Sequence, residues 1–223
     1  MQEPEHELVE SPEEEQPDPE GILYQKPKKE DFFVVLLLIL LCLIFSVFYW
    51  YSESYKNLLW VSKEKIFKNY NYWRLFTAFL THADIKHWLS NMGLLAIFGF
   101  FLRTYFGLLA FPITALLIGA LTNLITIYFY PDNLRLLGAS GIVYGLVAMW
   151  ITFYVKYEVR YSFGMKIFRV LGFSMLLLLP TSFSPTTSYL SHFIGFILGI
   201  FAALMLIATG KYSQENHEKN KSV

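Results

Sequence analysis

Residues 32–51 read FFVVLLLILLCLIFSVFYWY, twenty residues without a charge. At about 1.5 Å per residue such a helix spans the roughly 30 Å hydrocarbon core of a bilayer. The run exceeds the ~7–15 apolar residues of a cleaved signal peptide and lacks a small-x-small exit. It therefore reads as a span that stays in the membrane. The bulk composition agrees, with 16 % charged residues against about 25 % in soluble domains. Upstream the character reverses. Between Met1 and Asp31 lie eleven acidic residues and five prolines. Such a segment cannot bury enough apolar surface to offset the entropy of ordering it, which predicts a disordered acidic tail over 1–31.

Downstream, apolar runs recur at about 87–105, 107–129, 138–155, 166–180 and 190–209. Pro131-Asp132-Asn133 separates two of them, and Pro180 to Pro185 separates another two. The reading is an all-α membrane protein, a polytopic bundle of six transmembrane helices over 32–209, with five or seven as the alternatives. A short polar tail, 210–223, follows. The connection 52–86 carries Trp60, Trp73 and many tyrosines, residues that favour the headgroup layer, and reads as an interfacial loop. With the N-terminus inside, eleven basic residues fall on the cytoplasmic side and seven outside, six of those in the long first loop. The bias places both termini in the cytoplasm, in a protein of the plasma membrane.

Span parity makes the sharper statement. The second, fourth and sixth spans run in the same direction, so their first residues share one membrane face. Those starts hold the polar residues worth weighing: His82, His87 and Asn91, then Ser140, then His192. Ser140 sits in Gly138-Ala139-Ser140-Gly141-x-x-x-Gly145, where Gly138 permits an unusual backbone angle and the serine opens a helix. His192 is followed by Gly195 and Gly199 at i+3 and i+7, on one stripe. Two facing stripes of small residues let helices approach closely, which would bring Ser140 and His192 together. A serine in a membrane helix usually bonds its own backbone, and a histidine can simply satisfy a carbonyl. Together, however, they form a nucleophile and a general base.

A third, acidic partner is not expected. Between Ile85 and Ala208 only Asp132 and Glu158 are acidic, one in a loop and one at the opposite face. Tyr144, one turn below Ser140, is placed either to stack on the His192 ring or as an ordinary buried tyrosine. His87 and Asn91, spaced i and i+4, and the free N–H of Ser140 are candidate donors to an oxyanion. His82 is read as holding the loop. A spacing of five between His82 and His87 is not a helical zinc pair, and Cys42 is the lone cysteine. No metal, cofactor or disulfide is expected.

With these residues assembled, the chain resembles the rhomboid family of intramembrane serine proteases. The ordered motifs are Trp73-Arg74, His82, His87-x-x-x-Asn91, Gly138-x-Ser140-Gly141-x-x-Tyr144-Gly145 and His192-x-x-Gly195. The resemblance implies Ser140 as nucleophile and His192 as base. It gives His87, Asn91 and the Ser140 amide to the oxyanion hole, with Tyr144 supporting the base. It implies a six-helix bundle whose fourth helix starts in a wet cavity. Its substrates would be membrane-spanning helices cut near small residues. One departure stands out: many relatives carry Glu two residues before the arginine of the second span, where this chain has Phe101-Leu102-Arg103. That position concerns packing rather than chemistry. A pseudoprotease that binds membrane clients is the first rival, although such relatives usually lack the serine or histidine. A small transporter is the second, but it would need polar residues along a path, whereas these cluster at one end. Expected partners are transmembrane substrates and lipid. The basic residues are dispersed, so nucleic acid is not expected, and nothing specifies an oligomeric state.

Overall fold

A computed structural model describes residues 22–178, 187–210 and 212. The side chains of residues 173–178 are outside that description. Among the described residues the fold is entirely helical, with one isolated bridge between Val61 and Leu136. In chain order the helices are α1 (Lys29–Tyr51), α2 (Glu53–Leu59), α3 (Lys63–Phe67), α4 (Arg74–Leu80), α5 (Ile85–Leu108), α6 (Ala115–Phe129), α7 (Ser140–Tyr157), α8 (Phe163–Leu178) and α9 (Tyr189–Ala208). Among the described residues three stretches are long and apolar enough to cross a membrane: Lys29–Tyr51, Ile85–Phe129 and Tyr189–Ala208. The chain is an integral membrane protein. Helices α7 and α8, of 18 and 16 residues, overlap the expected runs 138–155 and 166–180 but are not among these three stretches, so the count of six spans is not established by length and hydropathy; residues 179 and 180 lie outside the described residues.

The boundary between the runs 87–105 and 107–129 has a physical form. Gly107, at φ 72°, and the extended Phe111, at φ −144°, interrupt the 45-residue stretch Ile85–Phe129. A wider turn, Leu109–Thr114, joins its two halves.

Order begins earlier than the acidic composition predicts. Residues 1–21 lie outside the described residues, but Ile22 and Leu23 are buried in a short 3-10 turn and α1 starts at Lys29. Tyr24 donates a hydrogen bond to Glu158, a buried carboxylate that also accepts from the Arg160 backbone N–H (2.9 Å) and guanidinium (3.2 and 3.3 Å). Burial pushes the Glu158 carboxyl up, but the hydrogen bonds from Arg160 and Tyr24 outweigh it and leave a net downward shift. Two isolated apolar residues in a charged run give no periodic signal, so this anchor escapes a composition reading. At the other end, residues 213–223 lie outside the described residues, whereas Tyr212 is buried and donates to the Phe106 carbonyl at 2.8 Å.

The Phe101-Leu102-Arg103 departure is compensated from the first helix. Asp31 Oδ1 lies 3.5 Å from Arg103 Nε, with both side chains largely buried. Asp31 also accepts from the Lys28 N–H at 2.9 Å, so one carboxylate caps α1 and neutralises α5. Phe101 meanwhile lies against Trp150, ring centroids 4.8 Å apart.

The connection 52–86 is a scaffold of three short helices, α2, α3 and α4. Its centre is Arg74, which is 3 % exposed. Its Nη1 donates to the carbonyls of Asn57 (2.9 Å), Leu58 (2.5 Å) and Trp60 (2.9 Å). Three carbonyls that turn away from any helix ladder thus share one cationic donor. Tyr70, Tyr72 and Trp73 remain exposed, as an interfacial surface requires.

Candidate active site

The loop before α7 is fixed at several points, and these place Ser140. Leu136 exchanges both backbone hydrogen bonds with Val61, at 2.8 and 3.0 Å. The Gly138 N–H donates to the Ala78 carbonyl at 2.9 Å. The Ala139 N–H donates to His82 Nε2 at 3.3 Å. A ring nitrogen that accepts must carry no proton, so the proton of the neutral ring is on Nδ1. Nδ1 faces Ser46 Oγ at 3.2 Å, while Ser46 accepts from the His82 N–H at 3.0 Å and donates to the Cys42 carbonyl at 2.6 Å. The Trp50 indole donates to the His82 carbonyl at 2.8 Å. His82 therefore ties α1 to the peptide just before Ser140. It is fully buried, and burial, with the charge of His87 second, pushes its imidazole down to about 3.

Gly138 has two reasons to be glycine. Its φ of +113° is one that side chains rarely adopt, and a Cβ there would lie 2.6 Å from His87 Cε1. The His87 ring thus presses on the backbone two residues before Ser140. It also meets the His82 ring edge-on, centroids 5.2 Å apart. Asp84 caps α5 by accepting the His87 backbone N–H at 2.9 Å, so this nearby carboxylate serves the helix end. Asn91 is buried and donates from Nδ2 to the His87 carbonyl at 2.8 Å.

Ser140 is the first residue of α7, half-buried, and its N–H belongs to the unpaired first turn. The helix then meets α9 through glycine. A Cβ on Gly195 would strike the Gly141 carbonyl oxygen, and one on Gly199 would strike that of Gly145. This backbone-to-backbone approach sets the register of α7 on α9. One turn below Ser140, the Tyr144 ring lies face to face with His192, centroids 4.1 Å apart and planes 13° from parallel. Tyr189 meets the same imidazole edge-on at 6.1 Å. Among the described residues no hydrogen bond joins Ser140 Oγ to His192.

The starts of α5, α7 and α9 thus meet at one end of the bundle, and the seven residues singled out from the sequence gather there. Sequence reading passed over Ser46, Trp50 and Ala78, which contribute as anchors through backbone or hydroxyl bonds that no motif spacing encodes. On α6, Asn123 donates to the Leu75 carbonyl at 2.9 Å. The Thr122 and Thr126 hydroxyls are buried without a hydrogen-bond partner among the described residues. Asp132 pairs with Lys68 at 2.8 Å on the loop surface.

Comparison with known proteins points the same way. The description of the Rhomboid domain matches residues 69–209. The chain is similar to three proteins of Arabidopsis thaliana. It is 25 % identical to RHOMBOID-like protein 2 over 71 % of this chain and 50 % of the relative. It is 25 % identical to RHOMBOID-like protein 1 over 66 % and 38 %, and 25 % identical to RHOMBOID-like protein 5 over 65 % and 47 %. The chain spans about half the length of the curated relatives it matches, or less. With the matched domain running from the interfacial scaffold through the last described helix, the chain belongs to the rhomboid family.

Proposed function

We propose that this chain is an intramembrane serine endopeptidase that cleaves transmembrane segments of other membrane proteins, using Ser140 and His192 as a catalytic dyad. The observation that carries the proposal is the face-to-face stack of Tyr144 on His192. It holds an imidazole against the residue one helical turn from a serine that opens the same helix, in a bundle otherwise poor in ionisable groups. An intramembrane histidine is costly to keep without a task.

In the proposed reaction neutral His192 accepts the Ser140 hydroxyl proton as Oγ attacks the scissile carbonyl. The carbonyl π electrons move to oxygen. The resulting oxyanion is met by the Ser140 N–H, the His87 ring and the Asn91 amide. Asn91 keeps one Nδ2–H on the His87 carbonyl and donates with the other. Collapse of the intermediate expels the amine, which leaves with the proton from His192, and the acyl ester remains on Ser140. Water, deprotonated by His192, then releases the acid and restores the serine. Catalytic hydrogen bonds are commonly long before substrate binds and shorten in the complex, so the dyad closes when a substrate is bound.

The substrate helix must unwind near small residues, because its carbonyls are otherwise hydrogen-bonded. On this reading α1, α5, α6, α7, α8 and α9 are six spans of one domain over residues 32–209, preceded by an acidic tail and followed by a short polar one. Both termini face the cytoplasm at the plasma membrane, and the site opens outward. The test is cleavage of a transmembrane reporter by the reconstituted protein. Wild type should cut it and Ser140→Ala should not, while folding to the same thermal stability. Cleavage at the wild-type rate by Ser140→Ala would end the proposal.

A further inference from the structure

The end of the bundle away from Ser140 carries a second feature. Phe101 of α5, Trp150, Ile151 and Tyr154 of α7, and Arg169 and Val170 of α8 line a cavity of about 330 Å³. That is within the roughly 300–1,000 Å³ of small-molecule sites. Its walls are aromatic: Trp150 lies 4.8 Å from Phe101 and 6.5 Å from Tyr154 by ring centroids. Its rim is cationic. The Arg169 guanidinium carbon sits 3.6 Å from the centroid of the Tyr161 ring. Lys166, one turn earlier on α8, reaches the Val155 carbonyl at 3.2 Å.

Among the described residues no carboxylate pairs with Arg169 or Lys166. Helices α5, α7 and α8 contain no Asp or Glu, and the connection between α7 and α8 holds only Glu158, already engaged by Arg160 and Tyr24. Arg169, an exposed cation held over the Tyr161 ring, thus overhangs an apolar cleft. The exposed Phe163, Phe168 and Leu171 share its helix and give α8 a lipid-facing side. An apolar slot with a positive mouth at the membrane interface matches one kind of occupant, an amphiphile with an acyl chain and an anionic head.

We propose that this cleft binds an anionic phospholipid. Its acyl chain lies along Trp150 and Phe101, and its phosphate sits on Arg169 and Lys166. Among the described residues α8 is packed chiefly on α7, so a lipid here would fill the gap between α8 and the bundle. The proposal is independent of the protease reading and of which way the protein is inserted.

The test uses the full chain in phosphatidylcholine vesicles. Brominated phosphatidylglycerol and brominated phosphatidylcholine of identical chains are titrated in parallel, and tryptophan quenching is read. The Trp150→Phe variant supplies the signal of the other tryptophans, to be subtracted. One basic side chain near an anionic leaflet changes affinity about fivefold. The Trp150 component should therefore favour the glycerol lipid over the choline lipid by about fivefold or more. Arg169→Gln should lower that preference about fivefold, Arg169→Lys should keep most of it, and Lys156→Gln on the same leaflet should leave it nearly intact. Equal quenching by the two lipids in wild type would overturn the proposal, because a cleft indifferent to headgroup charge would suit a neutral lipid or a protein helix. An equal loss in Lys156→Gln and Arg169→Gln would overturn it too, as the mark of general surface attraction.

Discussion

Replacing Gly199 by alanine tests how tightly the site depends on the α7–α9 contact, two helical turns from His192. The new methyl would lie 2.8 Å from both the Cα and the carbonyl carbon of Gly145, and closer still to its oxygen. Ordinary contact begins at 3.4 Å. The carbons alone thus require about 0.6 Å of separation and the oxygen requires more, or about 1 Å in all. Backbone cannot rotate away as a side chain can, so the helices must part. Such overpacking costs about 1–3 kcal/mol, whereas alanine's helix propensity returns at most about 1 kcal/mol. The steric term wins. A misplacement of about 1 Å at a catalytic site lowers turnover on the order of 100-fold. The assays are reporter cleavage in proteoliposomes and unfolding in mixed micelles. Gly93→Ala is the control, since a Cβ there meets nothing within 4 Å and the variant should match wild type. Wild-type cleavage and stability in Gly199→Ala would refute the close-packing argument.

Other substitutions probe the anchors one at a time. Gly138→Ala combines a left-handed backbone with a collision against His87, so cleavage should fall by at least about 100-fold, measured with the same reporter. Tyr144→Phe keeps the ring over His192 and should retain activity. Tyr144→Ala removes a stack worth about 0.5–1.5 kcal/mol and should slow cleavage about two- to tenfold. Arg74→Gln strips a cationic donor from three carbonyls and should destabilise by about 1.5–3 kcal/mol in an unfolding titration. His82 takes up its proton less readily folded, at about 3, than unfolded, at 6.5. Its contribution is therefore intact above pH 6.5 and falls as pH drops toward 3. In His82→Asn the dependence of unfolding on pH across that window should flatten.

Much of this architecture is legible in the chain because membrane spans and glycine stripes are written in runs and periods. The Gly195 and Gly199 stripe announced a close approach, and its partner carbonyls prove to be those of Gly141 and Gly145. The i, i+4 offset of Tyr144 from Ser140 left a stack on His192 and plain burial both open, and the fold shows the stack. What was not legible depends on backbone acceptors or distant pairing. The 52–86 connection mixes aromatic and basic residues without a period, so α2, α3 and α4 were invisible there, and the acceptors of Arg74 are carbonyls that carry no sequence signature. Likewise Asp31 looked like part of an acidic tail. Only the fold shows it opposite Arg103. Ile22 and Leu23 were masked by their charged neighbours.

The central claim is that Ser140 is a nucleophile activated by His192, and covalent trapping tests it most directly. A fluorophosphonate probe should label the reconstituted wild-type protein at Ser140, as located by peptide mass spectrometry. Ser140→Ala should take up none, and His192→Ala should be labelled far more slowly. Undiminished labelling of Ser140→Ala, or a wild-type protein that cleaves its reporter while Ser140 stays unmodified, would contradict the account.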